Sequence, residues 1–256
     1  ANKDRAALIF VGVFNTAIPF TLISWGETQI DSGLATILNG TVPLFTLVFA
    51  HFLLVNERLN IAKIFGMVLG FVGVVVLTSE SLGNGDSTLP GQLAVLLAAS
   101  SYATAIVTLR ARLHHIEALT IAGWSIVVGA MTIIPITLVF SPTLPTPADV
   151  DIGIMLAAAT LALVNTVVAY FLFYDLLYTW GARATLVTYA MPPIGVTLGV
   201  VVLGEVLDWR LIVGGGLILT GIILTKSSDM RAMLGTVGRI PSQMVIFLGR
   251  RQQQVK

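Results

Sequence analysis

The chain contains no cysteine. Disulfides, thiolate metal sites and cysteine nucleophiles are therefore excluded. Charge is almost as scarce: Asp, Glu, Lys and Arg make up 11% of the 256 residues, against roughly 25% in a soluble domain. So little solvating surface cannot keep a chain of this size in water. Hydrolase motifs are missing as well, with no HExxH and no GxSxG anywhere in the sequence. The formal net charge of +1 says nothing about nucleic acid, but no basic stripe is interleaved with aromatics, so no nucleic-acid partner is expected. His114 and His115 adjoin one another without a third ligand nearby, which leaves no metal site to expect. No cofactor is expected either.

Apolar residues take the place of what is missing. They form 56% of the chain, and the mean hydropathy is +0.92. They fall in blocks close to the ~20 residues that a helix needs to cross a bilayer. Eight spans are predicted, over about 6–26, 33–55, 61–79, 91–111, 117–140, 152–178, 183–204 and 210–226. The runs are continuous, whereas barrel strands would alternate, and in lipid every backbone amide must be satisfied within its own segment. The fold class is therefore an all-α polytopic membrane protein, with the lipid bilayer as its solvent. The N-terminal run resembles a signal peptide at first, but it continues to Trp25 with no small-residue cleavage site. Two links are longer than the rest, SESLGNGDSTLPGQ (79–92) and SPTLPTPADVD (141–151). The tail, 227–256, contains MVIFLG, too short to span and suited to lie on the membrane surface.

Threading the chain through eight spans sorts its charges. Lys3, Arg5, Arg58, Lys63, Arg110, Arg112, Arg183, Lys226 and five tail residues share one side, so 13 of 14 basic residues are together. The opposite side receives Glu27, Asp31, Glu80, Asp86, Asp149, Asp151, Glu205 and Asp208, with only Arg210. Basic residues mark the cytoplasmic side, which predicts both termini there.

The sequence also repeats itself. Asn15-Thr16 matches Asn165-Thr166, Ala35-Thr36 matches Ala184-Thr185, and Pro43 matches Pro192. NERLNIAKIFGMVLGFVGVVVL then matches GEVLDWRLIVGGGLILTGIILT, pairing Glu57 with Glu205, Gly66 with Gly214 and Gly73 with Gly221. Matched spans lie five apart in order, and five is odd, so partners cross the membrane in opposite directions. Inverted repeats of this kind belong to secondary transporters, whose substrate sites lie near the midplane between the halves. Two spans precede Asn165 in its repeat but only 14 residues precede Asn15. A parent with ten spans is thus expected, of which this chain holds eight.

The same residues carry a resemblance. GLATILNGTVPLFTLVFAHFLLVNERLNIAKIFGMVLGFVGVVVL and its second-half counterpart are similar to the EamA domains of the drug/metabolite transporter superfamily. The shared order is a small-Ala-Thr start, a mid-helix proline, a glutamate at the next loop and a glycine-rich helix, over residues 6 to 226. The resemblance implies ten helices in two inverted five-helix repeats around a central cavity. It also implies efflux of amino acids or related small polar metabolites across the bacterial inner membrane by alternating access, without ATP hydrolysis. On this basis 1–80 holds the last three helices of the first repeat, 90–226 the complete second repeat, and 227–256 a cytoplasmic basic tail. Homodimer formation is left open.

Candidate functional residues follow from polarity inside apolar spans. Thr36, Asn39, Gly40 and Pro43 fall on one helical face, and Thr185, Thr188, Tyr189 and Pro192 repeat the pattern. A polar stripe is costly toward lipid and should face protein or a wet cavity. Its groups either line the substrate path or bond neighbouring helices. Asn15, Asn165 and Tyr170 lie near mid-span, and Tyr102 and Trp124 are aromatics able to stack on a substrate or anchor an interface. Pro43 and Pro192 remove a backbone hydrogen bond and mark helix flex points. Glu27 and Asp175 are the ionisable candidates for ion coupling, each near a membrane boundary. Glu57 and Glu205, with Asn60 and Asp208 as N-caps of the following helices, read as structural. The glycines at 66, 70, 73, 214–216 and 221 read as packing.

Two other classes compete. GNGD (83–86) and YD (174–175) echo the aspartate motifs of intramembrane aspartyl proteases, in which paired carboxylates share a proton. Their order is reversed, however, and they lie near opposite surfaces, so no enzyme is expected. A non-transporting scaffold or receptor would need no continuous polar stripe between the repeats.

Overall fold

The computed structural model describes residues 2–54, 59–84, 88–140, 150–169, 172 and 187–237. Every regular element among them is helical. The first span has three parts, α1 (Asn2–Gly12), a π-helical turn (Val13–Ala17) and α2 (Ile18–Gly26). The second is broken into α3 (Ser32–Asn39) and α4 (Val42–Leu53) by a turn at Gly40 and Thr41. Single helices follow: α5 (Ile61–Asn84), α6 (Leu89–Arg112) and α7 (Ala118–Phe140). α8 (Ile152–Ala162) runs into a second π-helical turn (Leu163–Val168). α9 (Val187–Leu203) and α10 (Trp209–Val237) complete the described helices.

Five of these segments are long and apolar enough to cross a membrane, and three shorter apolar helices accompany them. Large side chains such as Phe52, Ile61 and Val201 stand mostly exposed. Continuous apolar surface on this scale would drive a soluble protein to aggregate, whereas a bilayer requires it. The chain is a multi-pass helical membrane protein.

Helices extend further than the sequence predicts at two places. The expected link 79–92 shortens, because α5 runs on to Asn84 and α6 begins at Leu89. Pro90 sits in the first turn of α6, where its missing N–H interrupts nothing. α10 likewise continues through Val237, so the first part of the expected tail is helical. Residues 238–256, with the MVIFLG patch, lie outside the described residues.

The π turns have no counterpart in the sequence expectation. Both hold the matched dipeptide, Asn15-Thr16 in one and Asn165-Thr166 in the other. At the first, Ile18 N–H bonds the Val13 carbonyl five residues back. Pro19 follows with no N–H to continue that pattern, which leaves the Phe14 carbonyl without its donor. The Ser101 hydroxyl of α6 donates to that carbonyl at 2.7 Å. A proline defect in the first span is thus repaired by its neighbour, as the bilayer interior demands.

The most extensive contact joins the third and eighth spans. α5 and α10 pack along their lengths in opposite directions, and glycines set their separation. A Cβ on Gly66 would stand 2.5 Å from the Gly221 carbonyl, and one on Gly73 2.6 Å from that of Gly214. The reciprocal positions are equally tight: a Cβ on Gly214 would meet the Gly73 carbonyl at 2.8 Å, and one on Gly221 the Gly66 carbonyl. Gly66 pairs in sequence with Gly214 and Gly73 with Gly221. The two contacts therefore exchange under the repeat, as a two-fold axis between the helices requires. Ile218 and Ile222 of α10 meet Leu44, Val74 and Leu77 here in the main apolar core.

Any side chain at this crossing must push two backbones apart. Gly73→Ala is expected to destabilise the protein by about 1–3 kcal/mol, the usual penalty of overpacking. Gly216 lies near the same crossing on α10, yet a Cβ there would meet no atom within 4 Å. Gly216→Ala should therefore leave the melting temperature in detergent unchanged or raised, and equal losses in the two variants would disprove the crossing.

Candidate functional site

A cavity of about 830 Å³ lies between helices of the two halves. α2, α3 and α4 form one wall, and α6, α9 and α10 form the other. It extends from Glu27 at the end bearing Asp31, Glu205 and Asp208, here the acidic end, to Arg110 and Thr225 at the basic end. Most of its surface is apolar, and a few polar groups converge at its middle.

The break in the second span positions those groups. Gly40 and Thr41 stay in right-handed helical conformation but tighten the chain, and the Thr41 N–H and hydroxyl both bond the Leu38 carbonyl. Pro43 has no N–H to offer the Asn39 carbonyl. α4 can restart at Val42 because proline is tolerated in a first turn. Thr36, Asn39, Gly40 and Pro43 all line the cavity, as their common face suggests. Gly40 allows the seventh span to approach, since a Cβ there would stand 3.0 Å from Pro192 Cγ.

Hydrogen bonding gives this wall a definite polarity. The Thr36 hydroxyl donates to the Ser32 carbonyl at 2.8 Å, and the Thr46 hydroxyl to the Val42 carbonyl at 2.8 Å. Both therefore present lone pairs rather than protons to the cavity. Asn39 Oδ1 is buried and, among the described residues, meets no hydrogen-bond donor. Native proteins seldom leave such an acceptor unpaired. Tyr102, Ile106 and Arg110 recur every turn along α6 and form the opposite wall.

Glu27 stands at the C-terminus of α2, at the acidic end of the cavity. Its side chain is substantially exposed, yet the apolar surroundings on its other side raise its pKa above the ordinary 4.5, and the nearby Glu205 carboxylate raises it further. Glu205 itself accepts the Ser32 N–H at 2.8 Å and the Gly33 N–H at 2.9 Å. It thereby caps α3, a span to which it does not belong. The sequence shows Glu205 as a repeated residue, but not that it reaches across the repeats. Its counterpart Glu57 lies outside the described residues. Asn60 is an N-cap as expected, its Oδ1 accepting the Lys63 N–H at 2.8 Å. Asp208 begins α10 through its carbonyl, while its carboxylate lies 3.6 Å from Arg210 Nη1.

The remaining candidates are dispersed. Asn15 is half-buried in the first π turn and does not line the cavity. Trp124 is 51% exposed on α7, also away from it. Asn165 falls in the second π turn, and Thr188 and Tyr189 in α9, with side chains outside the described residues. Tyr170, Asp175 and Asp86 lie outside them altogether. Among the described residues no cluster could hold a metal ion. His115 instead approaches Asp4 at 3.8 Å.

A model of the EamA-like transporter family matches residues 1–79 and 89–227. The chain belongs to that family. As an EamA-like protein it is a transporter rather than an enzyme. An "Uncharacterized transporter" of Archaeoglobus fulgidus is 27% identical over 87% of this chain and 78% of its own length. A "Probable terminal-alkyne amino-acid exporter" of Streptantibioticus cattleyicolor is 25% identical over 93% and 79%. A "Probable amino-acid metabolite efflux pump" of Salmonella typhimurium is 27% identical over 81% and 71%. A crystal structure 21% identical to this chain shares the fold, with a TM-score of 0.56 over 89% of this chain and 78% of that one.

Two outcomes follow from the site's electrostatics. An unpaired buried acceptor costs about 1–3 kcal/mol, so Asn39→Leu should keep or raise the melting temperature of the solute-free protein. A clear drop would show that the amide is already paired. The raised pKa of Glu27 means that folding favours its protonated form. That contribution is present below the ordinary carboxylate pKa and is lost as pH rises through the raised value. Melting curves across acid to neutral pH should lose this component in Glu27→Gln, and parallel profiles would contradict it.

Proposed function

We propose that this EamA-like transporter is a secondary exporter of amino acids or related small metabolites, working by alternating access in the cytoplasmic membrane. The observation that carries the reading is the buried, unpaired Asn39 Oδ1 in a cavity between two inverted repeats. It lies beside threonine oxygens whose protons are already committed. Such a wall attracts a donor-rich group, and a protonated amine satisfies it. Arg110, the positive side chain among the described lining residues, suits a carboxylate at the basic end. The intervening apolar surface accommodates a small side chain. The names of the Streptantibioticus and Salmonella relatives point the same way.

In this reading the basic end is cytoplasmic, with both termini, and the acidic end is external. Residues 1–80 act as the last three helices of the first repeat, 90–226 as the five-helix second repeat, and 227–256 as a cytoplasmic tail. Thr36 and Asn39 of the first repeat and Tyr102 of the second contact the solute, with Asn165, Tyr170, Thr188 and Tyr189 as further contributions of the second repeat. Pro43 and Pro192 supply flexibility where the spans bend. Glu27, and Asp175 on the other side, are the coupling candidates, since a carboxylate of raised pKa at the external end of the cavity can take up and release a proton.

Cells expressing the protein should resist toxic amino acids and their analogues and export the labelled solute. Asn39→Ala, which removes the acceptor, should reduce efflux on the order of ten-fold at equal protein level. Unchanged efflux in Asn39→Ala, or no exported solute across a broad amino-acid panel, would overturn this function.

A further inference from the structure

We propose, resting on the alternating-access reading, that Glu205 is the latch holding the cavity shut at its acidic end. Its hydrogen bonds cross from one repeat to the other, and they must break before that end can open.

The two bonds have an unusual origin. α3 begins without a side-chain cap from its own sequence, because Asp31 at the N-cap position makes no such bond. Helix N-termini offer unpaired N–H groups and partial positive charge, which a carboxylate satisfies well. That carboxylate normally comes from an adjacent residue. Here it comes from Glu205, 173 residues from Ser32 and in the other repeat.

The backbone around Glu205 is shaped to deliver it. Gly204 adopts a left-handed conformation, φ +71, that ends α9 and turns the chain back. The Glu205 N–H then bonds the Gly199 carbonyl at 3.1 Å. The carboxylate lies in a slot between two glycines. A Cβ on Gly33 would stand 2.9 Å from Oε2, and one on Gly199 would collide with the same oxygen.

Below this slot, α3 and α9 meet through close apolar contacts, Gly195 against Thr36 and Pro192 against Gly40. Ala35 and Thr36 of α3 and Met191 and Pro192 of α9 line the cavity directly beneath. Separation of the helices here would open the cavity to the acidic side. The charge-assisted bonds of Glu205 define the closed state, and they can be exchanged for water when the repeats part. Glu205 thus acts as a positioning residue in the cycle and touches no solute.

The native chain lacks cysteine, so single-cysteine labelling needs no prior substitution. Thr46→Cys places a reporter in the cavity, and Thr28→Cys, exposed beside Glu27, identifies which membrane face holds the acidic end. Labelling of Thr46→Cys by a membrane-impermeant maleimide from that face should be slow. Adding Glu205→Ala should accelerate it on the order of ten-fold, the population shift expected from loss of a charge-assisted tie. Gly33→Ala, which intrudes on the carboxylate, should act in the same direction, and Glu205→Gln to a lesser degree. A folded Glu205→Ala protein that labels at the parent rate would overturn the latch. If Glu205→Ala does not fold, parent rates in both Glu205→Gln and Gly33→Ala would overturn it. No solute enters this assay, so a failure of the export reading shows in efflux alone and leaves the labelling result intact.

Discussion

The close approach of α5 and α10 is the constraint on which the rest of the structure depends. Where Gly66 faces Gly221 and Gly73 faces Gly214, main chain lies against main chain with no room for a β-carbon. Helices in lipid gain little from hiding apolar surface, since lipid tails are as apolar as leucine. Their association depends on close packing instead. Two glycines on each helix, one pair the image of the other, give that packing and also fix the symmetry axis between the halves. The cavity is a consequence: with α5 and α10 joined along one side, the second and seventh spans stay in contact from the acidic end as far as Gly40 and Pro192, and the cavity lies beside that contact.

A second constraint acts on the polar groups. Nothing in a bilayer interior solvates a free carbonyl or hydroxyl, and the chain answers locally. Buried threonines at 41, 78 and 225 return their protons to carbonyls of their own spans. Ser101 serves the carbonyl left without its donor by Pro19. Asn39 Oδ1 departs from this pattern: among the described residues it is a buried acceptor that meets no donor, and it lines the cavity.

Much of this was legible in the sequence, and the reasons differ by feature. Long apolar runs and the sorting of charges define spans because burying a charge in lipid is costly. The repeat was visible because glycine, proline and glutamate have few substitutes where backbones touch, helices break or termini need caps. The stripe of Thr36, Asn39, Gly40 and Pro43 was visible through helical periodicity. Other features arise from contacts between distant segments and leave no local trace. The π turn around Asn15 depends on the pairing of Pro19 with Ser101. Glu205 reads as a loop residue until α3 is folded beneath it. Asn15 and Trp124 resemble site residues by polarity and aromaticity, but the bundle turns them away from the cavity.

Under the alternating access proposed above, a fixed crossing, a cavity beside it and a polar tie at one end would make the halves rock about α5 and α10. Electron spin resonance distances between pairs of introduced nitroxides test this most directly. Thr28 with Val206 reports the acidic end, Phe52 with His114 the basic end, and Phe65 with Ile223 the crossing. All six are exposed. Addition of an exported solute should lengthen one end pair and shorten the other while the crossing distance stays constant. Ends that move together, or a crossing that moves as much as they do, would contradict the account.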